Sequence, residues 1–229
     1  MDVHDIQHQF ANKFQLWDFT EDKSGCKMLE LIGSSFIADA PAIFGEPNED
    51  YINRELAWYE SQSLSVDDIP GVTPKIWQDI SDSYGMINSN YGYLIYSERN
   101  GYQYANVLQT LKDNPDTRQA TMVYNRPSIH TDAHVRGRSD FICTNAVNYY
   151  IRDKKLHAVV QMRSNDVIFG YRNDYAWQKY TLDNLVEELR FEEIDIQAGT
   201  ITWQAASLHI YERHFNYVEE YLERHGKDA

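Results

Sequence analysis

The stretch of residues 159–174 constrains the fold more tightly than any other part of the sequence. It begins as an apolar β-strand, continues as a short, densely polar loop, and leads into a predicted helix. The positions in it that are suited to contact a ligand are Arg163, Ser164, Asp166, Gly170 and Asp174. Arginine and serine can hold an anion, each carboxylate can fix one edge of a planar ring, and glycine admits a ligand close to the backbone. Because ligand sites form where strands end and loops begin, we expect the rest of the chain to supply further groups to this loop.

Two apolar segments at this point of the chain predict a β-hairpin. Residues 141–152 and 156–163 flank a polar turn, and apolar side chains alternate along the second segment with the period of a strand that buries one face. A lone cysteine, Cys143, lies in the first segment. By itself, a cysteine in such a segment favours a buried, inert thiol over a nucleophile.

The composition excludes several classes of protein. A length of 229 residues fits one domain with a sizeable core, and 42% apolar with 24% charged residues is typical of a globular chain. Lys plus Arg number 21 and Asp plus Glu 35, a net charge of −14 that argues against a nucleic-acid groove. Seventeen Tyr, five Trp and nine Phe suit amphipathic walls around a planar ligand.

Cysteine usage and hydropathy indicate the compartment. Two cysteines, Cys26 and Cys143, do not make a disulfide framework, and a reducing compartment is favoured although a bridge between them stays open. No apolar run reaches the length of a membrane span, and the N-terminus has no signal-peptide pattern. We therefore expect a cytoplasmic protein without membrane contact.

The remaining pattern predicts one α+β domain over residues 1–229. Helical spacing of apolar residues predicts helices at 5–18, 50–61, 74–82, 100–114 and 175–190 and after 215. Strands are predicted at 27–38 and 120–124, and a second hairpin from 191–196 and 200–205. Residues 85–96 and 127–139 are predicted loops, the former lining a site.

Two positions leave structural and functional alternatives open. Glu55 shares the apolar stripe of helix 50–61, where a salt-bridged or flanking glutamate is favoured on the pattern alone. The loop 127–139 holds His130, His134, Arg136 and Arg138. Metal binding there lacks carboxylate or thiolate ligands at a supporting spacing, so a solvated loop is favoured.

The motifs of this chain, in their order and spacing, resemble the thymidylate synthase superfamily, and within it the bacteriophage deoxycytidylate hydroxymethylases. The resemblance covers nearly the whole chain. It is carried by residues 53–59, Ile76-Trp77, Asp116-Thr117-Arg118, Cys143, Arg163-Ser164-Asn165-Asp166, residues 174–178 and His209-Ile210-Tyr211. It implies a homodimer in which each large mixed β-sheet is flanked by helices and the two sheets pack back to back, with phosphate ligands shared across the interface.

The implied reaction transfers a one-carbon unit from 5,10-methylenetetrahydrofolate to dCMP, with water completing a hydroxymethyl group. The implied catalytic residues are Cys143, Glu55 and Asp174. The implied substrate-binding residues are Lys23, Arg118 of the other subunit, Arg163, Ser164, Asn165, Asp166, His209 and Tyr211. The implied folate-lining residues are Trp77, Tyr91, Asp166 and Gly170, and no metal is implied. Other nucleotide-synthesis enzymes are further candidate partners.

The chemistry gives each catalytic residue a purpose. A thiolate that adds to C6 of the pyrimidine makes C5 nucleophilic, and cationic neighbours favour the thiolate. Asp174 as a carboxylate can accept from the cytosine amino group and share a proton with N3; its structural alternative is an N-cap for the helix predicted from residue 175. Glu55 with a water can act as a general base.

The sequence departs from the synthase pattern at four places, one of which is Gly170-Tyr171-Arg172-Asn173-Asp174, where the synthases have Gly-Leu-Pro-Phe-Asn. Thr144 follows Cys143 where the synthases have His, Gln119 replaces the second arginine of a pair, and the C-terminus is polar and short. Two competing functions follow the favoured one. The first is methylation or hydroxymethylation of another pyrimidine nucleotide, such as dUMP or CMP, and the second is nucleotide binding without catalysis.

Overall fold

The computed structural model describes residues 1–22 and 24–226. Lys23, predicted to bind phosphate, lies outside them. The chain divides into two compact units, the first comprising Met1–Pro47, Val159–Thr181 and Thr200–Ala229 and the second Asn48–Ala158 and Leu182–Gly199. The single domain over residues 1–229 stays a prediction. No helix within the described residues is long and apolar enough to cross a membrane.

The first unit combines a mixed sheet with helices. Its elements are α1 (Val3–Gln15), β1 (Thr20–Glu21), β2 (Lys27–Ile37), β6 (Asn165–Asp166), most of β7 (Gln197–Tyr211) and α8 (Asn216–His225), with the first part of α7 (Gly170–Phe191). β1, β2 and β7 pair antiparallel in that order, whereas β6 pairs parallel with β7. The core contains Ile6 and Phe10 of α1, Leu29 of β2, and Trp203 of β7, all fully buried.

The second unit packs helices beside an antiparallel sheet. Its elements are α2 (Glu49–Ser61), α3 (Lys75–Ile80), α4 (Tyr91–Tyr96), α5 (Gln103–Asp113), β3 (Thr121–Val123), α6 (Ile129–Asp132), β4 (Thr144–Arg152) and the first half of β5 (Lys155–Met162), with the end of α7. β4 lies between β3 and β5. Asn48 caps α2 and Asn90 caps α4, each by accepting a backbone N–H three residues later.

Several predicted elements are confirmed. The strand at 27–38 is β2, the helix at 50–61 is α2, and the hairpin from 141–163 is β4 and β5. Its turn consists of Asp153 and Lys154, both with positive φ, which is the backbone that a type I′ two-residue hairpin turn requires.

The second predicted hairpin is wrong. Residues 197–211 form the single strand β7, and α7 extends to Phe191. Gly199 was predicted as a turn residue, but its lack of a side chain allows close packing instead. A Cβ there would lie 2.6 Å from Nδ1 of His157 and 2.8 Å from the carbonyl oxygen of Leu156.

Two predicted loops contain helices. Residues 91–96 form α4, and residues 129–132 and 135–137 are helical turns. Arg138 is not solvated as predicted, because its guanidinium pairs at 3.1 Å with the fully buried carboxylate of Asp82. Within the described residues, no group of three or more His, Cys, Asp or Glu side chains is arranged to hold a metal ion.

Candidate active site

Parallel pairing of β6 with β7 builds the candidate site in the first unit. Asp166 is registered opposite His209, and the backbone N–H of Val167 donates to the carbonyl of His209 at 2.9 Å. On the other side of β7, Glu30 of β2 is opposite His209. Residues far apart in sequence therefore meet at one end of this sheet, as expected for a ligand site at strand ends.

Asp166 shapes the turn that leads into α7. Its Oδ1 accepts from the backbone N–H of Ile168 at 3.0 Å and of Phe169 at 2.7 Å. Its Oδ2 is buried and has no hydrogen-bond partner among the described residues. Since a buried acceptor without a donor costs free energy, this oxygen is suited to accept from a ligand.

Asp174 lies inside α7 and not at its N-cap. The helix begins at Gly170, five residues before the predicted start, so the structural alternative for Asp174 is wrong. The side-chain amide of Asn165 donates to Oδ2 of Asp174 at 2.7 Å, which orients the carboxylate. Gly170 makes room for this pair, because a Cβ there would lie 3.2 Å from Nδ2 of Asn165 and 3.8 Å from Oδ2 of Asp174.

His209 and Tyr211 project from the end of β7. His209 is buried, and its pKa is lowered by that burial, against the opposing effect of Asp166 and Glu30. Ser207 donates to Glu30 and lies 3.4 Å from Nδ1 of His209. The His209 and Tyr211 rings meet edge to face at 5.1 Å, so the two predicted sugar ligands are adjacent.

Arg163 and Ser164 connect β5 to β6 and are both half-buried. Arg163 lies close enough to His209 to disfavour its protonated form, which also contributes to the lowered pKa of His209. The predicted phosphate ligands of this loop thus lie beside the predicted sugar ligands in the same unit.

Glu55 is the centre of the candidate site in the second unit. It is 4% exposed, and burial raises its pKa to about 7 despite hydrogen bonds that favour the charged form. Tyr51 Oη donates to Glu55 Oε1 at 2.5 Å, and Trp77 Nε1 lies 3.3 Å from the same oxygen and 2.8 Å from Tyr51 Oη. The pattern favoured a flanking or salt-bridged glutamate, and that expectation is wrong. Glu55 is a buried carboxyl whose hydrogen-bond donors, Tyr51 and Trp77, are neutral.

An aromatic cluster surrounds this carboxyl. Trp77 meets Trp58 edge to face at 5.1 Å, Trp58 stacks on Tyr59, and Tyr59 stacks on Tyr91 at 5.2 Å. Trp77 is half-buried and Tyr91 is 4% exposed. Trp77 therefore retains an accessible edge, whereas the Tyr91 ring is largely enclosed by its neighbours.

Cys143 lies immediately before β4, is half-buried, and is not joined in a disulfide. Its Sγ is 3.9 Å from the carbonyl oxygen of Phe141, and the next residue, Thr144, is fully buried in the strand. Arg118 lies in the exposed segment between α5 and β3. Cys143, the predicted nucleophile, therefore lies at the start of β4. Arg118, the predicted phosphate ligand of the other subunit's site, lies at the surface.

Tyr51, whose hydroxyl donates to Glu55, is not among the site residues predicted from the sequence. Its position four residues before Glu55 on one helix is the signal that could have found it, because side chains at that spacing are neighbours.

A family model described as thymidylate synthase matches residues 48–229. The chain belongs to the thymidylate synthase family. The predicted α+β, thymidylate synthase-like fold is thereby confirmed. Among curated relatives, the deoxycytidylate 5-hydroxymethyltransferases of Enterobacteria phages T4 and T2 are each 54% identical to this chain, over 96% of it and 91% of the relative. A thymidylate synthase of Francisella philomiragia is 25% identical over 76% of this chain and 66% of the relative.

Proposed function

We propose that this member of the thymidylate synthase family is a deoxycytidylate 5-hydroxymethyltransferase. It converts dCMP to 5-hydroxymethyl-dCMP with 5,10-methylenetetrahydrofolate and water. The relatives at 54% identity carry that name. The observation in the structure that carries the proposal is the Asp174 carboxylate held by Asn165 at 2.7 Å.

Asp174 accounts for the choice of base. Cytosine offers a hydrogen-bond donor at N4 and an acceptor at N3. A carboxylic acid group beside N3 can share its proton with that nitrogen. A carboxylate only accepts, so it matches the N4 amino group and opposes the O4 oxygen of uracil. The Asn165 amide orients the carboxylate that we assign to the base.

The remaining residues of the first unit bind the nucleotide. Arg163 and Ser164, with Lys23, hold the phosphate, while His209 and Tyr211 hold the sugar. Burial keeps His209 neutral at physiological pH, since its pKa lies below the ordinary value of 6.5. A neutral imidazole can both accept from and donate to a hydroxyl group, which suits a sugar better than a second phosphate.

Cys143 is the proposed nucleophile. Its thiolate forms a bond to C6, and the electrons of the C5–C6 double bond shift through the ring toward N3. Asp174 shares a proton with N3, where this negative charge develops. C5 then forms a bond to the one-carbon unit, and C5 loses its hydrogen as a proton. Tetrahydrofolate leaves with the electron pair of its carbon–nitrogen bond, which leaves a methylene group at C5. After water has added to the resulting methylene group, the C6–S bond breaks and the thiolate returns.

Glu55 is the proposed general base for the addition of water. A carboxyl with a pKa of about 7 is half-ionised near neutral pH, where a base is most effective. Tyr51 and Trp77 both donate to Oε1, so Oε2 is the oxygen available to a water molecule.

The residues present fit a folate. The buried Oδ2 of Asp166 is an acceptor without a partner among the described residues, which suits the N–H donors of a pterin. Gly170 presents no side chain beside Asn165, and the half-buried Trp77 supplies an accessible aromatic edge, behind which the buried Tyr91 supports the aromatic cluster. When bound, 5,10-methylenetetrahydrofolate supplies the one-carbon unit.

We further propose a homodimer in which Arg118 binds the phosphate in the partner's site. Arg118 is exposed, and so is Ile32 on β2, which is 75% accessible. Their exposure supports a contact with a second subunit. The proposed location is the cytoplasm, where nucleotides and reduced folates are available, and other nucleotide-synthesis enzymes are proposed partners.

The proposal is tested by the mass of the product formed from dCMP and 5,10-methylenetetrahydrofolate. A hydroxymethyl group on the nucleotide supports it. A methyl group with dihydrofolate supports the methylating alternative, and turnover of dUMP or CMP in place of dCMP supports a different substrate.

The nucleophile has its own test with a matched control. Cys143→Ser should abolish turnover and the exchange of the C5 hydrogen with solvent while dCMP still binds. Cys26→Ser, which changes the other free cysteine, should leave both rates close to those of the unmodified protein. Normal exchange in Cys143→Ser would exclude addition of this thiol to C6.

A further inference from the structure

Asp140 is a buried carboxylate that the proposed chemistry does not use. It is 3% exposed and precedes Cys143 by three residues. Burying a carboxylate is costly unless its oxygens receive hydrogen bonds, so the bonds that Asp140 makes indicate what it stabilises.

The Asp140 side chain accepts hydrogen bonds from the two residues at positions 88 and 89. Its Oδ2 accepts from the backbone N–H of Asn88 at 2.5 Å and of Ser89 at 2.8 Å, and its Oδ1 accepts from Ser89 Oγ at 2.5 Å. The Asn88 side-chain amide donates in return to the Asp140 carbonyl at 2.9 Å. We call these four bonds the Asp140 clamp. It joins two segments that are about fifty residues apart in the chain.

The clamp continues into the elements that carry Glu55 and Trp77. The residue before Asp140, Ser139, donates its backbone N–H to Ile80 at the end of α3, the helix that bears Trp77. The residue after Ser89, Asn90, donates to the carbonyl of Trp58 on α2 at 2.9 Å. The segment that leads to Cys143 is therefore tied to both helices of the Glu55 cluster.

Arg138, two residues before Asp140, supports the same arrangement. Its Nη1 donates to Oδ1 of Asn88 at 2.6 Å, and its Nη2 pairs with Asp82 at 3.1 Å. The Asn88 side chain is thus fixed at both its amide nitrogen and its oxygen.

We infer that Asp140 is a positioning residue for Cys143. The clamp fixes the chain at Asp140, and the buried Ile142 and Thr144 fix it on either side of the cysteine. The thiol then projects from a backbone held in one place. This inference rests on the proposed function, because it assigns a purpose to holding Cys143 only if that thiol attacks the pyrimidine. A displacement of about 1 Å at a reacting group can cost about 10²-fold in rate.

The test compares Asp140→Ala with Asp140→Asn by three measurements on the full-length protein. They are the exchange of the C5 hydrogen of dCMP, the dissociation constant of dCMP, and the alkylation rate of each cysteine by iodoacetamide as a function of pH. In Asp140→Ala we expect exchange to fall about 10²-fold. We also expect the pH profile of Cys143 alkylation to change, while dCMP binding and Cys26 alkylation stay unchanged.

Asp140→Asn should retain most of the exchange rate. Its amide oxygen can accept both backbone N–H groups, and its amide nitrogen can donate to Ser89, whose hydroxyl then accepts. Asp132→Ala is the matched control, since Asp132 is a hydrogen-bonded aspartate of the same unit outside the clamp. Should Asp140→Ala not fold, Ser89→Ala removes a single bond of the clamp and should show a smaller loss of the same kind.

Exchange in Asp140→Ala or Ser89→Ala equal to that of Asp132→Ala overturns the positioning role. A parallel loss of exchange and dCMP binding with faster alkylation of Cys26 indicates general unfolding, and Ser89→Ala then decides: its exchange must fall with dCMP binding retained, and any other result overturns the role. Retained exchange in Cys143→Ser overturns the proposed function instead, so the two failures are distinguishable.

Discussion

Replacing Glu55 by glutamine tests the buried carboxyl at the centre of the second unit. The carboxyl is 4% exposed, and burial raises its pKa from the ordinary value of 4.5 to about 7. Glutamine has nearly the same shape and keeps an oxygen that can accept from Tyr51 and Trp77. The substitution therefore removes the titration of this position with little change in packing.

The magnitude follows from the change in pKa. Since one pKa unit is worth about 1.4 kcal/mol, a rise from 4.5 to about 7 corresponds to roughly 3 kcal/mol. The folded protein binds this proton more tightly than the unfolded chain does. The Glu55 contribution to the free energy of unfolding is therefore greatest below pH 4.5, falls as the pH rises, and levels off above pH 7.

The assay is urea denaturation of the two proteins at several pH values. The free energy of unfolding of Glu55→Gln, relative to the unmodified protein, should rise by roughly 3 kcal/mol between about pH 4.5 and pH 8. Glu49→Gln, which changes an exposed carboxyl of the same helix, is the control and should show no such rise. A difference between Glu55→Gln and the unmodified protein that does not vary with pH would refute the reasoning.

The same substitution should lower activity. Loss of a general base costs about 10²–10⁴-fold in rate. In the unmodified protein kcat should fall as the pH drops below about 7, because Glu55 becomes protonated. If the same acid limb persists in Glu55→Gln, another group is the base.

Three further predictions complete the set. Tyr51→Phe removes a hydrogen bond that lowers the pKa of Glu55, so the acid limb of kcat should move to higher pH, and an unmoved limb would contradict this coupling. Asp174→Asn should lower kcat/KM for dCMP and raise it for dUMP, within the limit of about 10⁴–10⁵-fold for polar discrimination; an unchanged preference would place base selection elsewhere. Mixing Arg118→Ala with Cys143→Ser should restore some activity through hybrid dimers, and no activity despite confirmed subunit exchange would disprove the shared arginine.

The contrast between the two hairpins shows where local pattern suffices. The β4–β5 hairpin was predictable because alternation and a two-residue polar turn both specify it locally. The hairpin predicted at residues 191–205 is wrong. Gly199 has the appearance of a turn residue in the sequence, but a glycine is needed there for a different reason. Its role is the close approach of Leu156 and His157, which are more than forty residues away.

The sequence by itself determined the family, the α+β class, most strands and helices, and the identity of the candidate side chains. These depend on periodicity and on the order of motifs, both of which are properties of the chain read locally. Tertiary structure decided the environment of each side chain. Glu55 acquires a pKa of about 7 only because the fold removes it from water, and Asp174 is held by Asn165 only because α7 begins at Gly170. The sequence did not single out Asp140, because its hydrogen-bond partners lie about fifty residues away and such long-range hydrogen bonds are set by packing.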